Sequence, residues 1–194
     1  MRGDLDPRLA AAFAAAPRHR FLPPRLRDQA WLDMPLRLGH GQTNSQPTTV
    51  ANMLELLDVA PGQRVLDVGA GSGWTTALLA HLVGEHGRVL AVERIADLRD
   101  GAAAAVAAVA DMAWASVHLA APGVLGLPEF APYDRILVSA QPQVLPVALV
   151  QQLKIGGVMV IPVARQMLRV RRSDEDVIPI TSHGEYAFVP LVQD

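Results

Sequence analysis

The feature that most constrains this chain is a glycine-rich turn between a short apolar segment and a helix-forming one. Residues 65–73 read VLDVGAGSG, with an acid two positions before the first glycine. Because glycine has no Cβ, such a turn lets the backbone approach a ligand closely and adopt positive φ angles. A helix beginning at Trp74 would present unpaired backbone N–H groups at its first turn. The segment therefore predicts a strand, a ligand-binding turn and a helix.

After residue 46 the chain alternates segments of strand and helix character. Apolar runs predict the strands, and a helix from Pro47 has its apolar residues spaced at the 3.6-residue period. The predicted strands are 64–68, 88–93, 117–120, 133–139 and 157–163, and the predicted helices are 47–57, 74–83, 96–110 and 146–153. Strands separated by helices of this length predict an α/β fold with a mostly parallel central sheet and helices on both faces.

The two ends of the chain lie outside this alternation. Asp6 and Pro7 predict a short helix that Pro17 ends, and the arginine-rich stretch 18–27 is predicted to be a solvated surface. Near the other end, residues 167–171 and 186–192 predict a closing hairpin. No long linker interrupts the sequence, so we expect one domain over residues 1–194.

Composition excludes several classes of protein and of site. With 194 residues, 51% of them hydrophobic, the chain can bury a core. A formal net charge of −2 gives no excess of basic residues for binding nucleic acid. The Ala-rich stretch at residues 101–110 is too short and too weakly apolar to span a bilayer. The cysteine-free sequence excludes disulfides and thiolate metal sites. We expect a cytoplasmic protein without a signal peptide that binds neither nucleic acid nor membrane.

A second acid sharpens the prediction for the glycine turn. Glu93 ends the strand that follows, 20 residues after Gly73, and adjacent parallel strands would place it beside the turn, where a carboxylate can accept both hydroxyls of a ribose. Asp67 could accept from a ligand ammonium, directly or through water. The dinucleotide fingerprint needs a glycine where Trp74 stands. A nucleoside-containing ligand other than a dinucleotide is predicted.

Six segments outside the turn carry a family resemblance. They are 17–23 (PRHRFLP), 41–47 (GQTNSQP), 131–136 (APYDRI), 152–157 (QLKIGG), 166–168 (QML) and 188–191 (FVPL). They are similar to segments of the protein-L-isoaspartate O-methyltransferases, and 41–47 resembles a motif specific to that family. The glycine turn is shared by all class I methyltransferases. The resemblance runs from about residue 17 to residue 191.

The resemblance implies a class I, Rossmann-like methyltransferase sandwich with an N-terminal helical extension. Residues 1–46 would form that extension and the loop on the substrate side, and 47–194 the cofactor-binding core. The implied cofactor is S-adenosyl-L-methionine, and the implied substrates are L-isoaspartyl residues in damaged proteins or peptides. Methylation of the α-carboxylate would give an ester that closes to a succinimide, whose hydrolysis restores some normal aspartate.

The resemblance also implies roles for particular residues. Ser45 would be the catalytic hydroxyl at the substrate carboxylate. The cofactor-binding residues would be Thr43, Asn44, Asp67, Gly69, Gly71, Gly73, Glu93 and Gln166, and Gln166 would close over the site from the C-terminal side. No metal is expected, because the histidines lack the spacing of metal ligands. A carboxylate is already ionised at neutral pH, so the reaction needs in-line placement more than a strong base.

Two departures from the family keep other functions open. Asn44 stands where the family usually has Ile, and Pro122 stands where it has an Asp near the adenine amino group. Proline offers neither a carboxylate nor an N–H, so the adenine should lose a hydrogen bond. One alternative is a relative that methylates normal aspartate in a dedicated peptide, or a small acid. Another is a degenerate, non-catalytic methyltransferase fold that serves as a binding protein.

Overall fold

The computed structural model describes residues 5–109, 112–174 and 178–192. The described helices are α1 Pro7–Ala15, α2 Pro47–Leu57, α3 Trp74–Val83, α4 Ala96–Val109 and α5 Val147–Val150. The described strands are β1 Leu36–Gly39, β2 Gln42–Asn44, β3 Arg64–Val68, β4 Arg88–Glu93, β5 Ala115–Leu119, β6 Tyr133–Val138, β7 Leu153–Val163, β8 Gln166–Arg171 and β9 Ile180–Glu185. Short 3-10 helices occur at Arg18–Phe21, Pro24–Gln29 and Pro128–Phe130.

Seven strands form one central sheet in the order β5-β4-β3-β6-β7-β8-β9. The first five are parallel, and β8 and β9 complete the sheet antiparallel to their neighbours. The chain moves outward from β3 to β5 and then returns to place β6 beside β3, so the strand order reverses at β3. In open α/β sheets, ligands bind beyond the carboxyl ends of the strands at such a reversal. The predicted α/β fold with a mostly parallel sheet is confirmed.

Both faces of the sheet are covered by apolar side chains. Helices α1 to α3, with Val106 of α4, pack on one face, where Leu57, Val65 and Leu78 are fully buried or nearly so. The other face is covered by α5 and by the chain between β5 and β6, around Leu66 and Ile136. Alternate residues of one strand serve the two faces, which is why the strands read as continuous apolar runs.

Two predictions for the ends of elements were wrong, and one hairpin was missed. The helix predicted at 146–153 is only Val147–Val150, because the carbonyl of Gln152 and the residue after it already pair with Tyr133 of β6. The closing hairpin uses Ile180–Glu185, whereas residues 186–192 are mostly irregular and lie beside Gln141. The small antiparallel hairpin of β1 and β2 was not predicted. No helix in the described ranges is long and apolar enough to cross a membrane.

Candidate active site

A cavity opens at the carboxyl ends of β3, β4 and β6. The space inside it, including the mouth open to solvent, is about 950 Å³. Its lining includes six chain segments: the β2 hairpin and the residue after it, the glycine turn, the end of β4, the loop after β5, the residues after β6, and the C-terminal segment. The lining residues include 42–45, 68–72, 92–94, 120, 124–126, 139–140 and 189–192. The cavity therefore lies where the strand order reverses.

Two stretches of chain form opposite walls of this cavity. The glycine-turn wall consists of residues 64–94, which contain β3, the turn, α3 and β4. The N-terminal wall consists of residues 17–46, which contain two 3-10 helices and the β1–β2 hairpin. Trp74 at the start of α3 contacts the N-terminal wall, because the guanidinium of Arg18 lies 5.5 Å from its ring centroid. Its indole N–H also donates to the carbonyl of Ala16, just before that wall, over 2.9 Å.

Glu93 lies beside the glycine turn, as the parallel pairing of β3 and β4 requires. Its carboxylate accepts from the backbone N–H of Gly71 at 2.9 Å and from that of Ile95 at 2.9 Å. The residue is 6% exposed and lines the cavity. Each carboxylate oxygen has two acceptor positions, so both oxygens keep capacity for ligand hydroxyls. These two bonds hold the carboxylate of Glu93 in an orientation that suits the two hydroxyls of a ribose.

Asp67 occupies a different position from the one that direct ligand contact would require. It is fully buried under the turn and does not line the cavity. One carboxylate oxygen, Oδ2, accepts from the hydroxyls of Thr75 and Thr76, both at 2.8 Å. The other, Oδ1, is buried without a hydrogen-bond partner in the described ranges. Burial raises the pKa of Asp67 to about 6, against the lowering effect of the two threonine hydroxyls.

The three glycines of the turn do different things. Gly69 and Gly71 line the cavity, whereas Gly73 faces helix α4. A Cβ at Gly73 would lie 3.0 Å from the carbonyl oxygen of Ala102 and 3.0 Å from Cγ2 of Val106. The backbone φ of +83° at Gly73 also favours glycine. Gly73 therefore allows α3 and α4 to pack closely, while its neighbours shape the floor of the cavity.

Thr43, Asn44 and Ser45 line the cavity opposite the glycine turn. Asn44 is 5% exposed, and its amide Nδ2 donates to the hydroxyl of Ser72 in the turn over 2.9 Å. Asn44 Oδ1 accepts from Nε of Arg18 at 2.6 Å. The side chain of Asn44 thus connects the two walls across the cavity edge.

Arg18 is buried beneath the N-terminal wall and holds its backbone in place through hydrogen bonds. Its guanidinium donates to the carbonyls of Leu32, Met34 and Ser45 at 2.8 to 2.9 Å, and to two further carbonyls at longer distances. It also stacks 5.5 Å from the ring centroid of Trp74. The residue is 5% exposed, and burial lowers its pKa to about 10, so it stays charged at neutral pH. The prediction that this arginine belongs to a solvated surface was wrong, although Arg20 is exposed.

These residues fit a nucleoside joined to an amino acid. A strand-end acid for the ribose, a glycine turn with exposed backbone, and an apolar pocket formed by Val92, Ala120 and Leu125 line one cavity. The buried Oδ1 of Asp67 is an acceptor that an ammonium group could satisfy through water. Among the described residues, no group of three His, Cys, Asp or Glu side chains could hold a metal ion.

Comparisons with known proteins agree with this geometry. Residues 2–194 match the model of the protein-L-isoaspartate(D-aspartate) O-methyltransferase family. The chain is 46% identical to the protein-L-isoaspartate O-methyltransferase of Methanopyrus kandleri over 189 residues, covering 95% of this chain and 83% of that protein. Identity to a Rhodopseudomonas palustris enzyme of the same name is 44%, over 100% of this chain and 79% of that protein.

The chain belongs to the protein-L-isoaspartate O-methyltransferase family. The resemblance found in the sequence is therefore confirmed. A Plasmodium falciparum structure, described as a candidate enzyme of this kind in complex with S-adenosyl-L-homocysteine, superposes with a TM-score of 0.86. It shares 22% identity and covers 97% of this chain and 92% of that one. At that identity the superposition shows a shared fold.

Gln166 and Pro122, two positions that the family resemblance singled out, do not line the main cavity. Gln166 begins β8 and its side chain accepts from the hydroxyl of exposed Ser182 at 2.8 Å, so it does not close over the cavity in this structure. Pro122 lines a smaller adjoining cavity together with Arg94 and Val192. The side that Gln166 was expected to cover is instead lined by residues 189–192.

Sequence reasoning missed three contributors to the site. The C-terminal segment docks through backbone hydrogen bonds between Gln141 and residues 189 and 191. Ser72 lies within the glycine turn and Arg18 within an arginine cluster, so neither was recognised individually as part of the site. The family-like segments around Arg18 and at 188–191 were the available signals. They identified the family without showing that these segments meet at one cavity.

Proposed function

We propose that this protein uses S-adenosyl-L-methionine to methylate the α-carboxylate of L-isoaspartyl residues in damaged peptides or proteins. The methyl ester then closes to a succinimide as the following backbone nitrogen attacks it and methanol leaves. Hydrolysis of the succinimide returns part of the chain to normal aspartate. The product of the first step is S-adenosyl-L-homocysteine.

One observation carries this proposal above all. A single cavity is lined by the Glu93 carboxylate, the glycine turn and, on the opposite side, the hydroxyl residues Thr43 and Ser45. The first two suit a nucleoside-containing cofactor, and the hydroxyls suit a carboxylate substrate. Membership of the family supplies the reaction that joins these two ligands.

The chain's own residues have a limited chemical task. When bound, the cofactor supplies a methyl group activated on a sulfonium. We propose that Glu93 holds the ribose diol, that Gly69 and Gly71 approach the amino-acid end, and that Ser45 orients the substrate carboxylate. Because that carboxylate is ionised at neutral pH, no residue needs to remove a proton from it. Rate enhancement then comes from placing the attacking oxygen in line with the methyl carbon.

Two predicted cofactor residues fit an indirect role better. Asp67 lies under the turn, so we propose that it acts on the cofactor ammonium through water or through the backbone of the turn. Gly73 supports the turn by letting α4 approach. The role of Gln166 stays a prediction, as do the division into an N-terminal extension 1–46 and a core 47–194, the cytoplasmic location, and the lack of nucleic-acid and membrane partners.

A paired-peptide assay tests the proposal. Two peptides of one sequence, one with L-isoaspartate and one with L-aspartate, are incubated with the protein and methyl-labelled S-adenosyl-L-methionine. We expect label on the isoaspartyl peptide and much less on the normal one, followed by the succinimide in the mass spectrum. Preference for the normal peptide would support a dedicated aspartate methyltransferase instead.

Binding of S-adenosyl-L-homocysteine, measured by calorimetry, separates the remaining alternative. Binding without any methyl transfer would favour a non-catalytic relative. Absence of binding by a folded protein would contradict the proposed cofactor. Asn44 and Pro122, the two departures from the family, make both measurements necessary.

A further inference from the structure

The amide of Asn44 forms a hydrogen-bonded side-chain connection between the two walls of the site. Its carbonyl oxygen accepts from the Nε of Arg18, and its nitrogen donates to the Ser72 hydroxyl. Ser72 is flanked by Gly71, whose N–H donates to Glu93. Arg18 in turn holds the carbonyl of Ser45 over 2.9 Å. The contacts therefore run from the N-terminal wall to the acid beside the turn.

We propose that Asn44 is a positioning residue that holds residues 42–45 against the glycine turn and thereby sets the place of Ser45 in the cavity. Asn44 uses both ends of its amide, one toward a charged donor and one toward a hydroxyl. This inference rests on the proposed function for the meaning of Ser45, but the connection itself is a property of the protein without substrate.

Burial explains why a polar side chain at this position has a large effect. Asn44 is 5% exposed and Arg18 is 5% exposed, so neither can exchange its partner for bulk water. A buried polar group that loses its partner costs more free energy than an exposed one, and hydrogen bonds to a charged group are the stronger kind. An apolar residue at this position would leave the Nε of Arg18 unsatisfied and release Ser72.

The shape and chemistry of aspartate allow a rescue experiment. In Asn44→Asp the carboxylate can accept from Arg18 Nε and also from the Ser72 hydroxyl, which is able to donate. Both connections survive with one of them reversed in direction. In Asn44→Leu both connections are lost at similar side-chain volume. In Ser72→Ala only the connection to the turn is lost.

The first readout is hydrogen exchange at residues 36–45, measured without substrate or cofactor. We expect faster exchange in Asn44→Leu and in Ser72→Ala, and exchange like that of the parent protein in Asn44→Asp. Ser72→Ala is informative because the substitution lies in the glycine turn, whereas hydrogen exchange is measured in a different segment, residues 36–45. Parent-like exchange of residues 36–45 in Ser72→Ala would overturn the proposal.

The second readout is turnover on an isoaspartyl peptide at saturating S-adenosyl-L-methionine. Asn44→Leu should lower kcat about tenfold, because small misplacements of reacting groups are costly. The KM for the cofactor should change less, by about threefold at most. Asn44→Asp should keep most of the turnover. Once Asn44→Leu is present, adding Ser72→Ala should change kcat little further, since the connection is already broken. Independent, multiplying losses would overturn the coupling.

A matched control is Asn52→Leu. Asn52 is a half-buried asparagine on α2 that donates to the Tyr186 hydroxyl over 3.0 Å and does not line the cavity. Its replacement should lower Tm without changing exchange at residues 36–45 or kcat. If the parent protein binds S-adenosyl-L-homocysteine but methylates no isoaspartyl peptide, the proposed function fails. The exchange data and the rescue by Asn44→Asp still decide whether Asn44 connects the two walls.

Discussion

The two walls of the site are built in different ways. The glycine-turn wall consists of regular elements, β3, α3 and β4, joined by backbone pairing in register. The N-terminal wall contains short 3-10 helices and one small hairpin, and its chain folds around the side chain of Arg18. Backbone ladders distribute stability over many residues, whereas many polar contacts of the N-terminal wall converge on one buried guanidinium. Single substitutions should therefore disturb the N-terminal wall more selectively.

The buried charges of the two walls have different hydrogen-bond partners. In the glycine-turn wall, Glu93 is held by two backbone N–H groups while buried Asp67 keeps one oxygen unpaired. In the N-terminal wall, the described ion pairs do not include Arg18, whose donors go to carbonyls and one amide. Among the described residues, neither the carboxylate of Asp67 nor the guanidinium of Arg18 has an opposite charge bonded to it. Removing these charges should separate their contributions to stability and to binding.

The largest effect is expected for Arg18→Leu. The change leaves the carbonyls of Leu32, Met34 and Ser45 without their donor in a buried region. Stability should fall by about 3–5 kcal/mol, measured by urea unfolding. Arg20→Leu, at an exposed position in the same cluster, should change stability by about 0.5 kcal/mol or less. Equal effects of the two variants would contradict the contrast between the walls.

Ser45→Ala tests the N-terminal wall through catalysis. If Ser45 orients the substrate carboxylate, kcat on an isoaspartyl peptide should fall by about a hundredfold. Affinity for S-adenosyl-L-homocysteine, measured by calorimetry, should change little, because the glycine-turn wall is intact. The exposed Ser182→Ala provides a control away from the cavity. Full turnover in Ser45→Ala would assign this serine a packing role only.

Asp67 gives a pH-dependent prediction for the glycine-turn wall. Burial raises its pKa from 3.8 to about 6, so the folded state binds the proton more tightly than the unfolded state. Stability from this group is therefore present at low pH and is lost as the pH rises from about 4 to about 6. Above that window the loss amounts to about 2–3 kcal/mol.

Asp67→Asn removes this titration. Relative to the parent protein, the variant should gain about 2–3 kcal/mol of stability between about pH 4 and about pH 7.5, measured by urea unfolding at both pH values. The sign is the informative part, because a carboxylate stabilised by its hydrogen bonds would show the opposite trend. If the stability of both proteins changes with pH in parallel, the charge of Asp67 does not contribute to the pH dependence of stability.

Glu93→Ala tests the ligand role of the same wall. Loss of a charged acceptor should weaken binding of S-adenosyl-L-homocysteine by about 1.5–3 kcal/mol. The variant also leaves the N–H groups of Gly71 and Ile95 without an acceptor, so Tm should fall modestly. Calorimetry on the folded variant distinguishes the two effects. Unchanged affinity would rule out the ribose role.

The smallest effect is expected for Pro122→Asp. The structure places Pro122 in an adjoining cavity that shares Ala120 and Leu125 with the main one. A carboxylate there could accept from an adenine amino group and improve affinity by about 1 kcal/mol, or roughly fivefold. Loss of the fixed proline φ should offset part of the gain. Weaker or equal binding in a folded variant would show that this position does not reach the adenine.

The two walls also differ in how far sequence patterns predicted them. In the glycine-turn wall, the predicted segments 64–68, 74–83 and 88–93 coincide with β3, α3 and β4. Each is specified by short-range features: an apolar run, a glycine turn, and a helix start. Parallel pairing of neighbouring strands then brings Glu93 to the turn, as expected. Short-range sequence features were therefore sufficient to predict the glycine-turn wall.

The prediction for the C-terminal hairpin failed because strand pairing there depends on long-range contacts. The hairpin expected to close with residues 186–192 closes with Ile180–Glu185, and the displaced segment becomes part of the cavity lining. Gln166 accepts from Ser182 of β9 in this arrangement, and its role at the site stays a prediction. A strand pattern shows that a segment can pair, but its partner depends on which edge the rest of the fold leaves available.

The sequence by itself determined the family, the α/β fold and the position of the glycine turn, because those depend on residue order within short segments. Only the tertiary structure decided which charges are buried. Arg18 and Arg20 are two residues apart and chemically identical, yet one is 5% exposed and stacks on Trp74 while the other is exposed. Burial of a side chain depends on contacts with distant segments, here residues 30–45 and helix α3. That is why the link through Asn44 between the two walls became visible only in the folded protein.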